Sequence, residues 1–256
     1  MQMTKTKTLP GFEFESALWR RGLKFVAGAD EVGRGSFAGP VVAACVVFDP
    51  TLQGRTLQDT TEIRINDSKK LTVKRRQVAD IWIRKNALSF GIGDGSVSQI
   101  NAFGIKKATE IAFRKAVKET NKKLTACGDA QIAHLLVDAF FVKNLAGIPV
   151  VSVKKYEYNS NSKVRYSVNQ TAIVKGDQQS FSIASASIIA KIYRDDLMKK
   201  LSLKKKFKVY EWGKNKGYGT KTHQEAIVKF GQTKYHRKEF VKTFLSKKTK
   251  FLNLNS

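Results

Sequence analysis

The sequence predicts an α/β fold, a mixed β-sheet flanked by helices, because strand-like and helix-like segments alternate along its 256 residues. Two apolar runs, residues 24–30 and 41–48, are separated by only a short turn with glycines, which indicates that the first strands are antiparallel. The hydrophobic fraction of 42% is sufficient for a chain of this length to bury a large core.

The N-terminal elements follow from the hydrophobic pattern. Residues 1–24 predict a polar tail and a short amphipathic helix near residues 12–21. Residues 41–48, VVAACVVF, form a continuous apolar and β-branched run that is typical of a strand buried on both faces. Cys45 lies inside this run, so we expect a buried free thiol, as in proteins of a reducing compartment.

The remaining elements alternate in type. Asp67 and Ser68 offer capping side chains ahead of a predicted basic helix over residues 73–86. Further strands are predicted over residues 87–93, 132–137 and 171–174, and further helices over residues 98–120 and 182–201. The polar residues 154–170 predict a hairpin or an irregular insertion. We expect three units: a tail with a short helix (1–24), a central domain (25–200) and a basic helical region (201–256).

The charge of the chain favours a polyanionic partner. Lys and Arg number 47 against 21 Asp and Glu, a net charge of +26. A charge of this size repels itself unless a polyanion such as nucleic acid neutralises it. Residues 199–250 alone hold 17 Lys and Arg against 3 Glu. A lysine-rich composition without any nucleic-acid role is the alternative explanation.

The sequence indicates a cytoplasmic protein without a membrane partner. No apolar run approaches the roughly 18 residues of a membrane span. The first ten residues are polar and carry lysines, which is unlike a signal peptide.

Four carboxylates lie at the ends of predicted strands. They are Asp30 and Glu31 after the first strand, Asp138 after LLV, and Asp177 after the short strand AIV. Carboxylates are depleted in strands and repel one another at adjacent strand ends, and a bound cation removes that cost. Oxygen ligands without His or Cys select Mg²⁺ or Mn²⁺ over zinc. Two such ions about 4 Å apart activate a water and stabilise the leaving oxygen at a phosphodiester.

Each carboxylate also has a purely structural explanation. A single Asp after a strand is more often a turn residue or a helix cap. Adjacent residues of a strand point to opposite faces, so Asp30 and Glu31 cannot both face one site if the strand stays regular through Glu31.

Six short motifs follow one another along residues 25–240. They are Asp30-Glu31-Val32-Gly33-Arg34-Gly35 with Ala38-Gly39-Pro40, Asp67-Ser68-Lys69-Lys70-Leu71, Leu136-Val137-Asp138, Gly176-Asp177 with Ala184 to Asp195, Lys216-Gly217-Tyr218-Gly219-Thr220 with His223, and His236-Arg237. In this order they resemble the ribonuclease HII family.

The resemblance implies a ribonuclease H-like mixed sheet flanked by helices, with a C-terminal helical extension. It implies that Asp30, Glu31, Asp138 and Asp177 are the catalytic carboxylates and bind two Mn²⁺ or Mg²⁺ ions. The implied activity is endonucleolytic hydrolysis of RNA in RNA–DNA hybrids, and nicking of duplex DNA on the 5′ side of an embedded ribonucleotide. The products would carry 3′-hydroxyl and 5′-phosphate ends, as in ribonucleotide excision repair and DNA replication. We expect a monomer.

The same resemblance implies the substrate contacts. The backbone of Gly33-Arg34-Gly35 would lie against the ribonucleotide 2′-hydroxyl, since glycine permits close approach. Tyr218 would pack on the next sugar and select an RNA-to-DNA junction, and Ser68 and Lys69 would contact phosphates. The structural alternatives are a half-buried aromatic for Tyr218, helix capping for Ser68 and a solvated charge for Lys69.

The sequence departs from the family pattern at two turns. Ala139 stands where the family has Gly after the third carboxylate, and the added methyl group is expected to shift that turn. Ser36-Phe37 replaces Pro-Leu, which is expected to loosen the glycine-rich turn without touching the chemistry.

Three other functions stay open on the sequence. A ribonuclease H-like enzyme that acts on DNA alone, such as a junction resolvase or an integrase, would share the carboxylates. The type 3 relative prefers long hybrids, and Gly33-Arg34-Gly35 with Tyr218 favours type 2 over it. A non-catalytic nucleic-acid-binding protein would explain the charge but gains nothing from clustered acids.

Overall fold

The computed structural model describes residues 9–53, 63–126, 131–140, 142 and 170–253, the last seven of them for their backbone alone. Apart from Gln170, which begins a strand, the insertion predicted at residues 154–170 lies outside the described residues. No helix in the described part of the chain is long and apolar enough to cross a membrane.

The described residues form five strands and seven α-helices. The strands are β1 (Val26–Val32), β2 (Val41–Val47), β3 (Ser89–Gly95), β4 (His134–Asp138) and β5 (Gln170–Ile173). The helices are α1 (Glu13–Trp19), α2 (Val73–Asn86), α3 (Val97–Ala126), α4 (Phe181–Ser202), α5 (Trp212–Asn215), α6 (Lys221–Phe230) and α7 (Lys238–Asn253).

The five strands form one mixed sheet in the order β3-β2-β1-β4-β5. The pairs β1–β2 and β2–β3 are antiparallel, whereas β1–β4 and β4–β5 are parallel. The predicted α/β class and the antiparallel arrangement of the first strands are thus confirmed. The parallel half of the sheet brings the carboxyl ends of β1, β4 and β5 to one edge.

Helices cover both faces of the sheet. One face packs on α3 in a core that includes Ala29, Cys45 and Phe113. The opposite face packs on α2 and α4 in a second core that includes Val42 and Ile188. Every residue of β2 is buried, as its apolar run predicts, and the free thiol of Cys45 is buried with it.

Helix α4 lies close to β1 because glycine occupies their contact. A Cβ atom on Gly28 would lie only 2.2 Å from the carbonyl carbon of Ser182. No side chain fits at that distance, so glycine is required there. The close packing places the first turns of α4 directly beside the strand that carries Asp30.

The capping residues predicted for α2 are wrong. The bounds of α2 agree with the prediction, but its N-cap is Thr72, whose hydroxyl accepts a hydrogen bond from the backbone N–H of Arg75. Asp67 and Ser68 therefore do not cap it. Helix α3 begins at Val97 and contains Gly104 in a non-helical conformation with φ of 80°.

The C-terminal region contains the helices α5, α6 and α7 and has a core of its own. Phe207, Trp212, Ile227 and Val241 pack together with Met198 of α4. This core joins α5, α6 and α7 to the end of α4. It holds the turn at Tyr218, between α5 and α6, near the glycine-rich turn that follows β1.

Candidate active site

Three carboxylates converge at the edge where the parallel strands end. Asp30 lies near the end of β1, Asp138 is the last residue of β4, and Asp177 lies in the short turn after β5. One oxygen from each carboxylate lies within 4.8 Å of those of the other two. These three side chains are a suitable ligand set for a hard divalent cation.

The backbone fixes the relative positions of Asp138 and Asp177. The Oδ1 atom of Asp138 accepts a hydrogen bond of 2.8 Å from the backbone N–H of Gly176. The chain then turns at Ala139, which adopts a left-handed conformation with φ of 43°. Glycine favours this conformation and alanine is strained in it. The prediction that Ala139 alters this turn therefore has a physical basis, although Asp138 still reaches the cluster.

Burial and mutual repulsion raise the pKa values of two of these carboxyl groups. Burial, followed by the charges of Glu31 and Asp138, raises the pKa of Asp30 well above its ordinary value. Burial, with the charges of Asp67 and Asp138, raises the pKa of Asp177 from 3.8 to about 6. Groups arranged in this way favour a proton or a metal cation at the site.

Glu31 does not join the three converging carboxylates. Strand β1 stays regular through Val32, with Asp30 opposite Ala44 and Glu31 opposite Ala43 on β2. The Glu31 carboxylate pairs instead with the guanidinium of Arg34 at 3.3 Å. Burial still raises the pKa of Glu31, with a contribution from Asp138 that Arg34 opposes.

Asp67 belongs to the charged cluster, and the strand-end reasoning missed it. Its charge is the largest electrostatic cause of the raised pKa of Asp177. Its Oδ1 atom accepts a hydrogen bond of 2.9 Å from the backbone N–H of Lys69. Burial lowers the pKa of Lys69, but the carboxylates of Asp30, Asp67 and Asp177 outweigh that effect and raise it. The turn at residues 67–70 therefore places a cation beside the acidic cluster.

Two serines connect this turn to Asp30. The hydroxyl groups of Ser68 and Ser187 are hydrogen-bonded at 2.9 Å in a buried position. The hydroxyl of Ser187 also hydrogen-bonds to Asp30, which opposes the rise in the pKa of that carboxyl group. Ser187 lies on α4 among small residues, and nothing in that sequence pattern indicates a contact with a carboxylate.

Two buried arginines, Arg194 and Arg237, contact the backbone of the turn that follows β1. Gly33 has φ of 89°, and a Cβ atom there would lie 2.1 Å from Nε of Arg194. The carbonyl oxygen of Arg34 accepts a hydrogen bond of 2.7 Å from Nη1 of Arg237. A Cβ atom on Gly35 would meet nothing within 4 Å, so the backbone is open on that side.

Ser36 bonds to one of the two arginines. Its hydroxyl is fully buried and accepts a hydrogen bond of 2.9 Å from Nη2 of Arg194. The expectation that replacing Pro-Leu with Ser36-Phe37 loosens the turn stays a prediction, and this bond to a buried cation acts against it.

The half-buried Tyr218 lies between the C-terminal core and α4. The guanidinium of Arg194 is 5.5 Å from the centre of its ring, and the ammonium of Lys191 is 5.9 Å from it. Arg194 also contacts the turn at Gly33. The two turns predicted to contact the sugar are thus joined through one buried side chain.

Comparison with known proteins identifies the family. The family model of ribonuclease HII matches residues 27–245, which include every site residue described above. The chain belongs to the ribonuclease HII family. Ribonuclease HII of Caldanaerobacter subterraneus subsp. tengcongensis is 39% identical over 232 residues, which are 91% of this chain and 80% of that protein. Membership makes the chain a metal-dependent ribonuclease H, an endonuclease and hydrolase that acts on nucleic acid.

Solved structures confirm the fold. Ribonuclease H2 from Pyrococcus horikoshii OT3 is similar with a TM-score of 0.57 and 22% identity, over 86% of this chain and 96% of that one. Bst ribonuclease HIII in complex with Mn²⁺ is similar with a TM-score of 0.61 and 18% identity, over 90% and 73%. The predicted ribonuclease H-like mixed sheet flanked by helices is therefore confirmed.

Proposed function

We propose that this member of the ribonuclease HII family hydrolyses the RNA strand of RNA–DNA hybrids and nicks duplex DNA on the 5′ side of an embedded ribonucleotide. The products would be 3′-hydroxyl and 5′-phosphate ends, and the role would be ribonucleotide excision repair and DNA replication. The observation that carries the proposal is the convergence of Asp30, Asp138 and Asp177 within 4.8 Å at one edge of the sheet.

Asp30, Asp138 and Asp177, with Glu31 as a fourth carboxylate, are proposed to hold two Mn²⁺ or Mg²⁺ ions. The donor set fits these cations because it consists of carboxylate oxygens, and the raised pKa values show that unneutralised charge is costly there. Glu31 stays in the proposal because its charge raises the pKa of Asp30 and the charge of Asp138 raises the pKa of Glu31. Bst ribonuclease HIII, which shares the fold, binds Mn²⁺. Bound ions would supply an activated water and charge stabilisation at the scissile phosphate.

The residues around the cluster are proposed to position the substrate. Lys69 places a cation beside the carboxylates and would contact a phosphate next to the scissile one. Ser68 is only 3% exposed, so its proposed phosphate contact would share the hydroxyl that already bonds to Ser187. The backbone of Gly33-Arg34-Gly35, open beside Gly35, would receive the ribonucleotide 2′-hydroxyl.

Tyr218 is proposed to pack on the sugar that follows the ribonucleotide and to disfavour a second 2′-hydroxyl there. Its position supports this role, because Arg194 contacts both its ring and the turn at Gly33. The basic region of residues 201–256 would complete the cleft built on residues 25–200, with residues 1–24 as a separate tail and helix. We propose that one chain carries the whole site and acts as a monomer.

Cleavage of four defined substrates tests the proposal. They are a DNA duplex with one ribonucleotide, the same duplex with four, a continuous RNA–DNA hybrid and an all-DNA duplex, each with Mn²⁺, with Mg²⁺ and with EDTA. We expect metal-dependent cutting of the first three, with 3′-hydroxyl and 5′-phosphate ends. Cutting of hybrids without any nick at one ribonucleotide would indicate type 3 specificity, and equal cutting of all-DNA duplex would indicate a DNA-directed enzyme.

The variant Asp138→Asn separates chemistry from binding. It removes one charge from the cluster and keeps a side chain of the same size, so we expect cutting to be abolished while substrate binding persists. Full activity of this variant would remove Asp138 from the proposed site. Asp94→Asn is the matched control, because Asp94 is 44% exposed and pairs with Lys115 away from the cluster.

A further inference from the structure

Two buried histidines lie beneath the turn that carries Tyr218. His223, in the first turn of α6, is fully buried, and His236, just before α7, is 1% exposed. Their Nε2 atoms face each other at 3.2 Å. Neither ring contacts the carboxylate cluster, so the catalytic site itself does not explain why two ionisable rings are buried together here.

The hydrogen-bond partners of His236 fix where its proton lies. The backbone N–H of Thr233 donates to Nδ1 of His236 at 2.9 Å. A backbone N–H is always a donor, so Nδ1 is the acceptor and carries no proton. A neutral His236 therefore has its proton on Nε2, the atom that faces His223.

The partners of His223 fix the opposite tautomer. The indole Nε1–H of Trp212 donates to Nε2 of His223 at 3.0 Å, and an indole nitrogen is a donor only. Nε2 of His223 thus carries no proton, and its single lone pair is shared between the N–H groups of Trp212 and His236. The proton of His223 lies on Nδ1, which donates to the carbonyl oxygen of Tyr218 at 2.9 Å.

Every bond of the chain is satisfied only when both rings are neutral. The three hydrogen bonds then all point the same way: the N–H of Thr233 donates to His236, His236 donates to His223, and His223 donates to the carbonyl oxygen of Tyr218. Burial lowers the pKa of His223, and burial together with the neighbouring His223 lowers the pKa of His236 to about 4. Bonds aligned in one direction strengthen one another in a buried site.

We propose that His223 and His236 are positioning residues that hold Tyr218 in place through its backbone carbonyl, and thereby set the preference for an RNA-to-DNA junction. The inference rests on the proposed role of Tyr218. The carbonyl oxygen of Tyr218 also accepts a hydrogen bond of 2.8 Å from the backbone N–H of Thr220. Without the His223 ring this carbonyl would keep one hydrogen-bond partner, so we expect it to shift in position and not to be left unpaired. The ring of Tyr218 is held separately by Arg194.

Two variants of His223 form a matched pair. The amide of Asn lies one bond from Cγ, as Nδ1 does in the imidazole ring, so His223→Asn keeps a donor for the carbonyl of Tyr218. The amide of Gln lies one bond farther out, at the place of Nε2, so His223→Gln loses that donor. Both variants remove a ring from the same buried position, which equalises the structural damage.

The measurement is the ratio of kcat/KM for a duplex with one ribonucleotide to kcat/KM for a continuous hybrid. We expect His223→Asn to keep this ratio within about twofold of wild type and His223→Gln to lower it about tenfold, since small misplacements of a positioning group have effects of this size. In a Tyr218→Ala background, His223→Gln should change the ratio no further, because it acts through Tyr218. A parallel loss on both substrates in both variants, or a full additional loss in the Tyr218→Ala background, would overturn the inference.

Nitrogen NMR of the wild-type protein tests the tautomers directly, with variants used only to assign the signals. The chain has three histidines, and the signals lost in His134→Gln and in His223→Asn assign all three. Long-range proton–nitrogen correlations should show Nδ1–H for His223 and Nε2–H for His236. Nε2–H on His223 would leave no donor facing Tyr218 and would overturn the inference. Failure of the wild type to nick at one ribonucleotide would instead refute the proposed function and leave the observed tautomers as they are.

Discussion

Replacing Asp177 with Asn tests whether the carboxylate cluster destabilises the protein when no metal is bound. Burial and the charges of Asp67 and Asp138 raise the pKa of Asp177 from 3.8 to about 6. Because the folded protein binds this proton more tightly than the unfolded chain, the stabilisation is fully present below about pH 4 and is lost as the pH rises through about 6. Above that pH the ionised carboxylate opposes folding.

The size of the effect follows from the two pKa values. Their difference corresponds to about 3 kcal/mol. Screening by solvent and counterions reduces this, so we expect Asp177→Asn to raise the free energy of unfolding of the metal-free protein at pH 8 by about 1 to 2 kcal/mol. At pH 5, about midway between the two pKa values, the folded carboxyl group is mostly protonated but the unfolded one is ionised, so the variant should gain only about half as much. In saturating Mn²⁺ the wild type should be the more stable of the two proteins. Metal binding stabilises the folded wild type, whereas the variant has lost one of the carboxylates that hold the metal.

Urea denaturation in EDTA at pH 5 and pH 8, and in Mn²⁺ at pH 8, measures these differences. Asp94→Asn is the control, since it raises the net charge by the same amount at an exposed site paired with Lys115. The reasoning is refuted if Asp177→Asn gains no more than this control at pH 8, or if its gain at pH 5 is equally large.

Three further predictions concern the same region. Ala139→Gly should stabilise the protein by about 0.5 to 1 kcal/mol in urea denaturation, because it relieves a left-handed alanine with φ of 43°; a loss of stability would contradict the strain. Glu15 is fully buried and accepts from the hydroxyl of Ser180 at 2.6 Å and the N–H of Ser182 at 2.9 Å at the start of α4. Glu15→Ala should therefore cost about 2 to 3 kcal/mol and Glu15→Gln less than about 1, since Gln keeps the acceptor; equal losses in urea midpoints would argue against the capping role. The cleavage rate should rise about tenfold per pH unit up to a break near 6, as Asp177 ionises, and more Mn²⁺ should move the break to lower pH; initial rates in which the break stays fixed would show that another group titrates.

The sequence predicts an element well where its residues are compatible with only one environment in the folded protein. The run VVAACVVF has no polar residue to place at a surface, and β2 is buried throughout. The end of β1 was harder to predict, because its last residues are stabilised by pairing with β2 rather than by their own pattern. Val32 pairs with Val42, so the strand continues two residues past Asp30.

The same argument explains which site residues can be predicted from the sequence. Asp30, Asp138 and Asp177 stand out because each interrupts or follows an apolar strand, and the structure brings all three together. Asp67 follows a polar loop, where an aspartate is ordinary, and only the folded chain shows that it lies beside Asp177. Glu31 follows Asp30 in a strand that stays regular, so the two side chains point to opposite faces, and the Glu31 carboxylate pairs with Arg34.

The convergence of the carboxylates depends on strand direction, which no single segment reveals. Had β4 run antiparallel to β1, Asp138 would lie at the opposite end of a five-residue strand, roughly 13 to 16 Å farther from Asp30. Helix α3, with its 30 residues between β3 and β4, is long enough for the crossover that a parallel strand requires. The antiparallel pair β1–β2 needs only a short turn, and that turn carries Gly33-Arg34-Gly35. One central strand with an antiparallel neighbour on one side and a parallel neighbour on the other therefore places a tight turn and three distant carboxylates at the same edge of the sheet.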